Sequence, residues 1–338
     1  MWIIGLLLLA MVFWGSFQTL VSGKYSGRVW LDLIVFGIAQ GSVYALIALG
    51  YTMVYGILRM INFAHGEVFM SGAYMGYFVA TALENRGTLD SNLLLSLVLI
   101  VLGAVVTSVT IAVLLERIAY RPLRRAPRLV PLITAIGASF FLQYTFRGFF
   151  GSGVKGYPEA EGLKGTITLF GLQLLKTQVL VIVAAIILLI ALYTFVQRTK
   201  TGKAMRAVSE DKDAAALMGI NVDRIIVTTF IVGGSLAGAA GVLYSMLFRQ
   251  VYFLTGFIPG LKAFTAAVLG GIGNIAGATM GGLFLGVAES LFPNLVLDGL
   301  GIPAPYQLKD ALAFLLLVLV LIFRPTGILG ERLATKKA

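Results

Sequence analysis

The chain has 338 residues, 59% of them hydrophobic and 12% charged, and carries a formal charge of +11 from 26 lysines and arginines against 15 acidic residues. That much apolar surface exceeds what one soluble core could bury, so the composition describes an integral membrane protein. The absence of cysteine excludes disulfides, thiol nucleophiles and thiolate metal sites, and the single histidine, His65, excludes a histidine-based metal cluster.

In chain order, apolar segments near the roughly 20 residues that cross a bilayer as helix are predicted at Trp2–Val21, Leu31–Tyr55, Ile61–Leu83, Leu93–Leu115, Leu129–Phe150, Thr177–Val196, Ile225–Phe248 and Tyr306–Phe323. The first is long for a signal peptide and lacks a basic start, which favours a helix that is kept over a signal that is cleaved. Residues 258–292 are too long for one span and are cut by Gly270, Gly271, Gly273 and Gly277, which predicts two short helices joined by GGIGNIAG. The fold class is therefore all-α, a polytopic membrane protein with about 8 to 10 transmembrane helices, some broken or short. Strand-like alternation is absent, against a membrane β-barrel.

The basic residues gather in a few loops rather than across a face, which argues for membrane orientation and against nucleic acid. Residues 116–128 (ERIAYRPLRRAPR), the island Thr201–Arg224 and the tail with Arg324, Arg332, Lys336 and Lys337 are predicted to lie on the cytoplasmic side, where they can also meet lipid headgroups. Lys24 and Arg28 then fall outside, against the charge bias. The loop of residues 151–176 is the largest predicted outside, either a connector or a contact for an extracellular partner.

The island (TGKAMRAVSEDKDAAALMGINVDR) carries the punctuation of a short helix. Ser209 can cap its start, Glu210, Asp211 and Asp213 suit the first turn, and Gly219 can close it in the left-handed conformation. Ala214, Leu217 and Met218 then share a narrow apolar face, suited to a groove on a partner or to the lipid surface.

Asn62, His65 and Glu67 sit near a predicted helix break, where they could coordinate a substrate, relay protons, or simply satisfy frayed helix ends. Lys262, Glu289, Lys309 and Asp310 lie near span ends, where snorkelling or mutual pairing accounts for them. No catalytic constellation and no G-x-x-x-x-G-K-[ST] phosphate loop occurs, so any nucleotide hydrolysis belongs to another polypeptide.

The stretches GSVYALIALGYTMVYGILRMINFAHGEVFMSGAY (41–74) and KAFTAAVLGGIGNIAGATMGGLFLGVAESL (262–291) resemble the LivH-type permease subunits of bacterial branched-chain amino-acid ABC importers. GKAMRAVSEDKDAAALMGINVDR, ERIAYRPLR, LITAIGASFFLQ and RPTGILG share the resemblance, which thus covers about residues 33–330. It implies one permease domain over residues 1–338, with residues 197–224 as a cytoplasmic coupling loop; the apolar segment within residues 1–28 is extra to the family's pattern. It further implies a multi-pass location in the bacterial inner membrane, a second, LivM-like permease, two cytoplasmic ATPases that hold ATP and Mg, and an extracytoplasmic amino-acid-binding protein. This chain would bind no cofactor. By motif position, Glu210, Asp211, Ala214, Ala215 and Gly219 would meet the ATPase, and Asn62, His65, Glu67 and Asn274 are the candidates to line the pathway. Permeases for urea, short amides or other amino acids resemble the same family, and an ion-coupled carrier or channel is the reading from a different class.

Overall fold

A computed structural model of the protein describes residues 2–329 except 125, 128, 170, 171, 304 and 325. Two of the five arginines of residues 116–128, Pro325 of the RPTGILG stretch, and the basic tail beyond residue 329 lie outside the described residues. Twelve α-helices are present among those described: α1 Trp2–Ser22, α2 Gly27–Leu58, α3 His65–Asn85, α4 Leu93–Leu114, α5 Leu129–Phe150, α6 Lys176–Arg198, α7 Lys200–Glu210, α8 Lys212–Leu217, α9 Val222–Phe248, α10 Phe257–Gly270, α11 Ile275–Phe292 and α12 Lys309–Phe323. Seven helical stretches are long and apolar enough to cross a membrane, and α10 is a shorter apolar helix. All ten segments expected from the hydropathy pattern are helices, including the pair α10 and α11 that the glycines of residues 270–277 separate.

The centre of the bundle is α2, whose residues from Gly37 to Val54 are almost all buried. It packs on α9, α10 and α11, and α3 and α4 close against α9 on the other side. Apolar composition cannot hold helices together inside a bilayer, because lipid tails are as apolar as leucine; close backbone approach can. The α2–α11 crossing is built this way. A methyl group added at Gly286 would lie 2.2 Å from the Gly41 Cα. Gly286→Val is therefore expected to part the two helices, destabilising the protein by about 1–3 kcal/mol or more. A lowered unfolding temperature of the detergent-purified chain checks this.

Local chemistry sets the helix ends. Asn92 accepts from the Leu95 N–H, Asn221 from Arg224 and Asn274 from Gly277, each satisfying an N–H left free at a helix start. Past Leu114 the helix widens into a π-turn over Leu115–Tyr120. The loop of residues 151–176 is more than a connector. It carries β2 Thr166–Leu169 and β3 Leu172–Leu175 as a hairpin, and β1 Lys155–Gly156 pairs antiparallel with β4 Gln250–Val251 after α9. An Arg249–Glu159 ion pair fastens the same segment. These short ribbons sit at the end of the bundle opposite the arginine-rich turn, since α5 must run its length to reach them, and they leave the class all-α.

Lys24 and Arg28 also lie at that opposite end, where α2 begins. Lys24 is not a free charge there: its Nζ lies 2.8 Å from Asp298, which also accepts from the Tyr25 hydroxyl at 3.2 Å. That pairing raises the Lys24 pKa; both basic residues still stand at this end against the charge bias, which counts lysines and arginines and not net charge. α1 packs against the π-turn Pro293–Leu297 that follows α11.

Candidate functional site

Two places bring together the residues singled out in the sequence. One is the break between α2 and α3, inside the bundle. The other is the α7–α8 corner at the arginine-rich end.

At the break, α2 stops on Arg59, which adopts a left-handed conformation with φ of 55°. The chain re-enters the bundle through residues 60–64, and α3 starts at His65 with its first turn buried. The three polar candidates here have different fates. Asn62 accepts a hydrogen bond from the Tyr120 hydroxyl at 2.5 Å, which anchors the loop to the π-turn. His65 turns inward onto α2: its ring meets Tyr51 edge-on at 4.9 Å, and it is packed so closely on Gly50 that a methyl there would lie 2.1 Å from Nε2.

Glu67 alone reaches open space. Its side chain is 1% exposed, and Oε1 accepts from Gln143 Nε2 at 2.7 Å and Ser139 Oγ at 3.1 Å, both on α5. Oε2 is buried with no partner. Beside it lies a cleft of about 240 Å³ between α3, α5 and α10, walled by Phe63, Ile136, Phe140, Phe257 and Leu261. Ser139 and Gln143 were not singled out in the sequence. Their spacing of four within an apolar span puts both on one helix face, which was the signal available.

Asn274 is not near this cleft. Its side chain caps α11 and donates to the Leu329 carbonyl at 2.9 Å, tying the segment after α12 to the α10–α11 turn. Both of its polar atoms thus hold backbone.

Lys262, Glu289 and Asp310 pair with one another, as one of the sequence readings had it. Lys262 Nζ lies 2.6 Å from Glu289 Oε1 and 2.6 Å from Asp310 Oδ1, joining α10, α11 and α12. Tyr44 donates to Glu289 Oε2 at 3.0 Å and accepts from Gln40 at 2.7 Å, which brings α2 into the same network. Lys309 instead reaches the Tyr306 hydroxyl at 3.2 Å.

At the α7–α8 corner, the island is two helices where one was expected. α7 buries Gly202, Met205 and Val208 on one face and runs to Glu210. Ser209 is consequently inside α7, where its hydroxyl donates to the Arg206 carbonyl, and it is not a cap. Asp211 is the cap of α8: its Oδ1 accepts from the N–H groups of Asp213 at 2.9 Å and Ala214 at 3.0 Å. The carboxylate takes the cap because Gly202, Met205 and Val208 seat α7 on the bundle with Ser209 inside its last turn, and the chain becomes extended only at Asp211, φ −147°. Gly219, at φ +82°, closes α8 as expected; its N–H reaches the Ala216 carbonyl and the Ile220 N–H the Ala215 carbonyl.

The face of α8 is also resolved. Ala214, Leu217 and Met218 are exposed, the last two at 89% and 83%. Ala215 points the other way and is buried against this chain's own core, where it anchors α8. Around the corner, Glu116 and Asp223 both pair with Arg124, and Arg59 Nη2 donates to the Ser209 carbonyl at 2.8 Å. Lys212 sits among these ions, and burial first, then the charges of Arg124 and Arg59, hold its ammonium below the usual lysine range. Arg59 thus ties the end of α7 to the very turn that leads into His65 and Glu67.

Comparison with known proteins matches this architecture to one family. Residues 33–321 fit the family described as branched-chain amino acid transport system / permease component. The chain is 45% identical over 305 residues to the high-affinity branched-chain amino acid transport system permease protein BraD of Pseudomonas aeruginosa, covering 89% of this chain and 96% of that one. It is 43% identical to LivH of Escherichia coli strain K12 over 87% of this chain and 94% of that protein. A probable LivH of Methanocaldococcus jannaschii is 30% identical, with 87% and 90% covered. With its helices accounted for from α2 to α12 and its extent matching these relatives nearly end to end, the chain is a multi-pass membrane protein that belongs to the branched-chain amino acid transport system permease family.

Proposed function

We propose that this chain is one transmembrane half of an ATP-binding-cassette importer in the bacterial cytoplasmic membrane, moving leucine, isoleucine and valine inward by alternating access. It acts without catalysis of its own. Two ATPase chains bind ATP and Mg, a second LivM-like permease completes the pathway, and an extracytoplasmic binding protein delivers the amino acid.

The observation that carries this reading is the α8 tip: a capped, Schellman-closed helix whose Leu217 and Met218 stand exposed. An exposed apolar pair on a rigid, well-terminated helix is costly in water and suits a cleft on a second protein. The branched-chain amino acids for which BraD and LivH are named support the choice of cargo. ATP binding would draw the two ATPases together and carry α8 with them. The displacement has a physical route inward, from the α7 terminus through the Ser209–Arg59 hydrogen bond to the α2–α3 break. A channel or ion-coupled carrier has no use for such a tip.

The test is uptake by the five-part complex in liposomes with ATP inside. Radiolabelled leucine is expected to accumulate against its gradient, with urea, short amides and polar amino acids taken up poorly. Accumulation that persists without ATP would overturn the importer reading, and preference for urea or an amide would overturn the cargo.

A further inference from the structure

We infer that the cleft between α3, α5 and α10 holds the amino acid in transit, with Glu67 as the acceptor for its α-ammonium group and the aromatic and aliphatic wall receiving its side chain. The inference rests on the transport reading and adds to it a site and a residue role.

A carboxylate inside the membrane is expensive unless its oxygens are paired. One oxygen of Glu67 is fully engaged by Gln143 and Ser139; the other is buried with no partner. Among the described residues, no lysine or arginine lines the cleft. The two α5 donors hold the carboxylate from one side and so leave Oε2 fixed on the other. An ammonium group, with N–H donors in three directions, is the ligand chemistry that this vacancy takes best.

Shape adds the second half. The cleft, about 240 Å³, is smaller than the roughly 300–1,000 Å³ of drug-sized pockets, which suits a single amino acid and not a peptide. Beyond Glu67 the wall is largely apolar, with Phe63, Ile136, Phe140, Phe257 and Leu261 suited to a branched aliphatic chain, and Tyr51 and Ser139 as its other polar members. Access to Oε2 depends on Gly256: a methyl there would stand 2.9 Å from Oε2 and 2.2 Å from the Gly66 carbonyl oxygen. The mouth is formed by Ile136, Phe140 and Phe257, all partly solvent- or lipid-exposed, so the cleft opens on the outside of this chain, where a second permease can complete it. Cation recognition and apolar recognition thus lie side by side at the first turn of α3, just after the end of α2 that Arg59 ties to α7.

The chain has no cysteine, so Ile136→Cys at the mouth supplies a single thiol in it, and its alkylation by N-ethylmaleimide can be followed by the mass of this chain within the assembled complex. Leucine is expected to slow alkylation about tenfold, as is 3-methylbutylamine, which keeps the ammonium and the branched chain. The isosteric acid 4-methylpentanoate, which lacks the ammonium, is expected to leave the rate unchanged. Adding Glu67→Gln, which preserves the shape and can still accept from Gln143 and Ser139, should abolish protection and lower leucine uptake by about tenfold. Protection by the acid equal to that by leucine, no protection by leucine in a complex that imports it, or undiminished protection in the Glu67→Gln background would each overturn the inference. A complex that imports no leucine yet shows ammonium-dependent protection would keep the site and overturn the importer reading. Should Glu67→Gln fail to assemble, the three-ligand comparison on Ile136→Cys alone still decides.

Discussion

Leu217→Asp is expected to abolish ATP-driven leucine uptake and to strip the ATPase chains from the purified permease, while the amount of permease in the membrane stays unchanged. The separation of effects follows from where the side chain lies. Leu217 is 89% exposed and Met218 83%, so neither contributes to this chain's packing and neither substitution removes a contact that holds the fold. The anchorage of α8 lies on its other face, in Ala215, and in its two ends, capped by Asp211 and closed at Gly219. Exposed apolar anchors at protein interfaces are where binding energy concentrates, and losing one costs about 2 kcal/mol or more, roughly a thirtyfold loss of affinity. A charge in its place adds the penalty of burying that charge on the partner. Ala215→Asp is the contrasting variant: its side chain is 4% exposed, so that change should lower the folded yield. Co-purification of the ATPases, read beside uptake, checks both. If Leu217→Asp and Met218→Asp retain uptake within about twofold of the parent, the ATPases are held elsewhere and the coupling assignment for α8 fails.

The second large effect is expected at the buried ion network. Lys262→Met should destabilise the protein by about 3–5 kcal/mol, because it leaves Glu289, 2% exposed, as an unbalanced charge in the bundle. Asp310 suffers less, being partly exposed and able to reach solvent. The Tyr44 hydroxyl remains on Glu289 Oε2 but supplies one hydrogen bond, not a counter-charge. Removing the acid as well, in Lys262→Met/Glu289→Leu, is expected to recover most of the loss, since an apolar pair of similar volume packs where the ions were. Thermal unfolding of the four proteins in detergent forms a double-mutant cycle, and the interaction energy is the check: a double variant as unstable as the sum of the singles would mean that the two residues do not act as a pair. The α10–α12 contact should loosen first, because Lys262 is what bridges α10 to Asp310 there.

Much of this protein is written locally. Each predicted span appears as a helix because membrane crossing imposes a length and an apolar composition that a window of sequence reports directly. The α10–α11 break was legible because GGIGNIAG cannot continue a helix through Gly271 and Gly273, both at positive φ. The α8 terminus at Gly219 was legible for the same reason. The start of α8 was not: Ser209 and Asp211 can both cap, and what separates them is that α7 turns Gly202, Met205 and Val208 onto the bundle and carries Ser209 inside its last turn. The hairpin in residues 166–175 also escaped, since four-residue strands are too short to show alternation against an apolar background.

The polar candidates divide along the same line. Sequence alone marked Asn62, His65, Glu67 and Asn274 as polar groups beside helix breaks, and it fixed that such groups need partners, because backbone and side-chain polar atoms have no water to turn to inside a bilayer. It could not say which had found them. Asn274 meets its cap partner three residues away but its second partner, Leu329, only after the chain has passed through α11 and α12. Asn62 meets Tyr120 across 58 residues, and Glu67 meets Ser139 and Gln143 across 72 and 76. Spans, breaks and caps are decided by composition and backbone freedom over a few residues, and these the sequence determined by itself. Which buried polar atom is satisfied, and which is left facing a largely apolar cleft, depends on donors that distant helices bring in only when the bundle packs, and that only the tertiary structure decided.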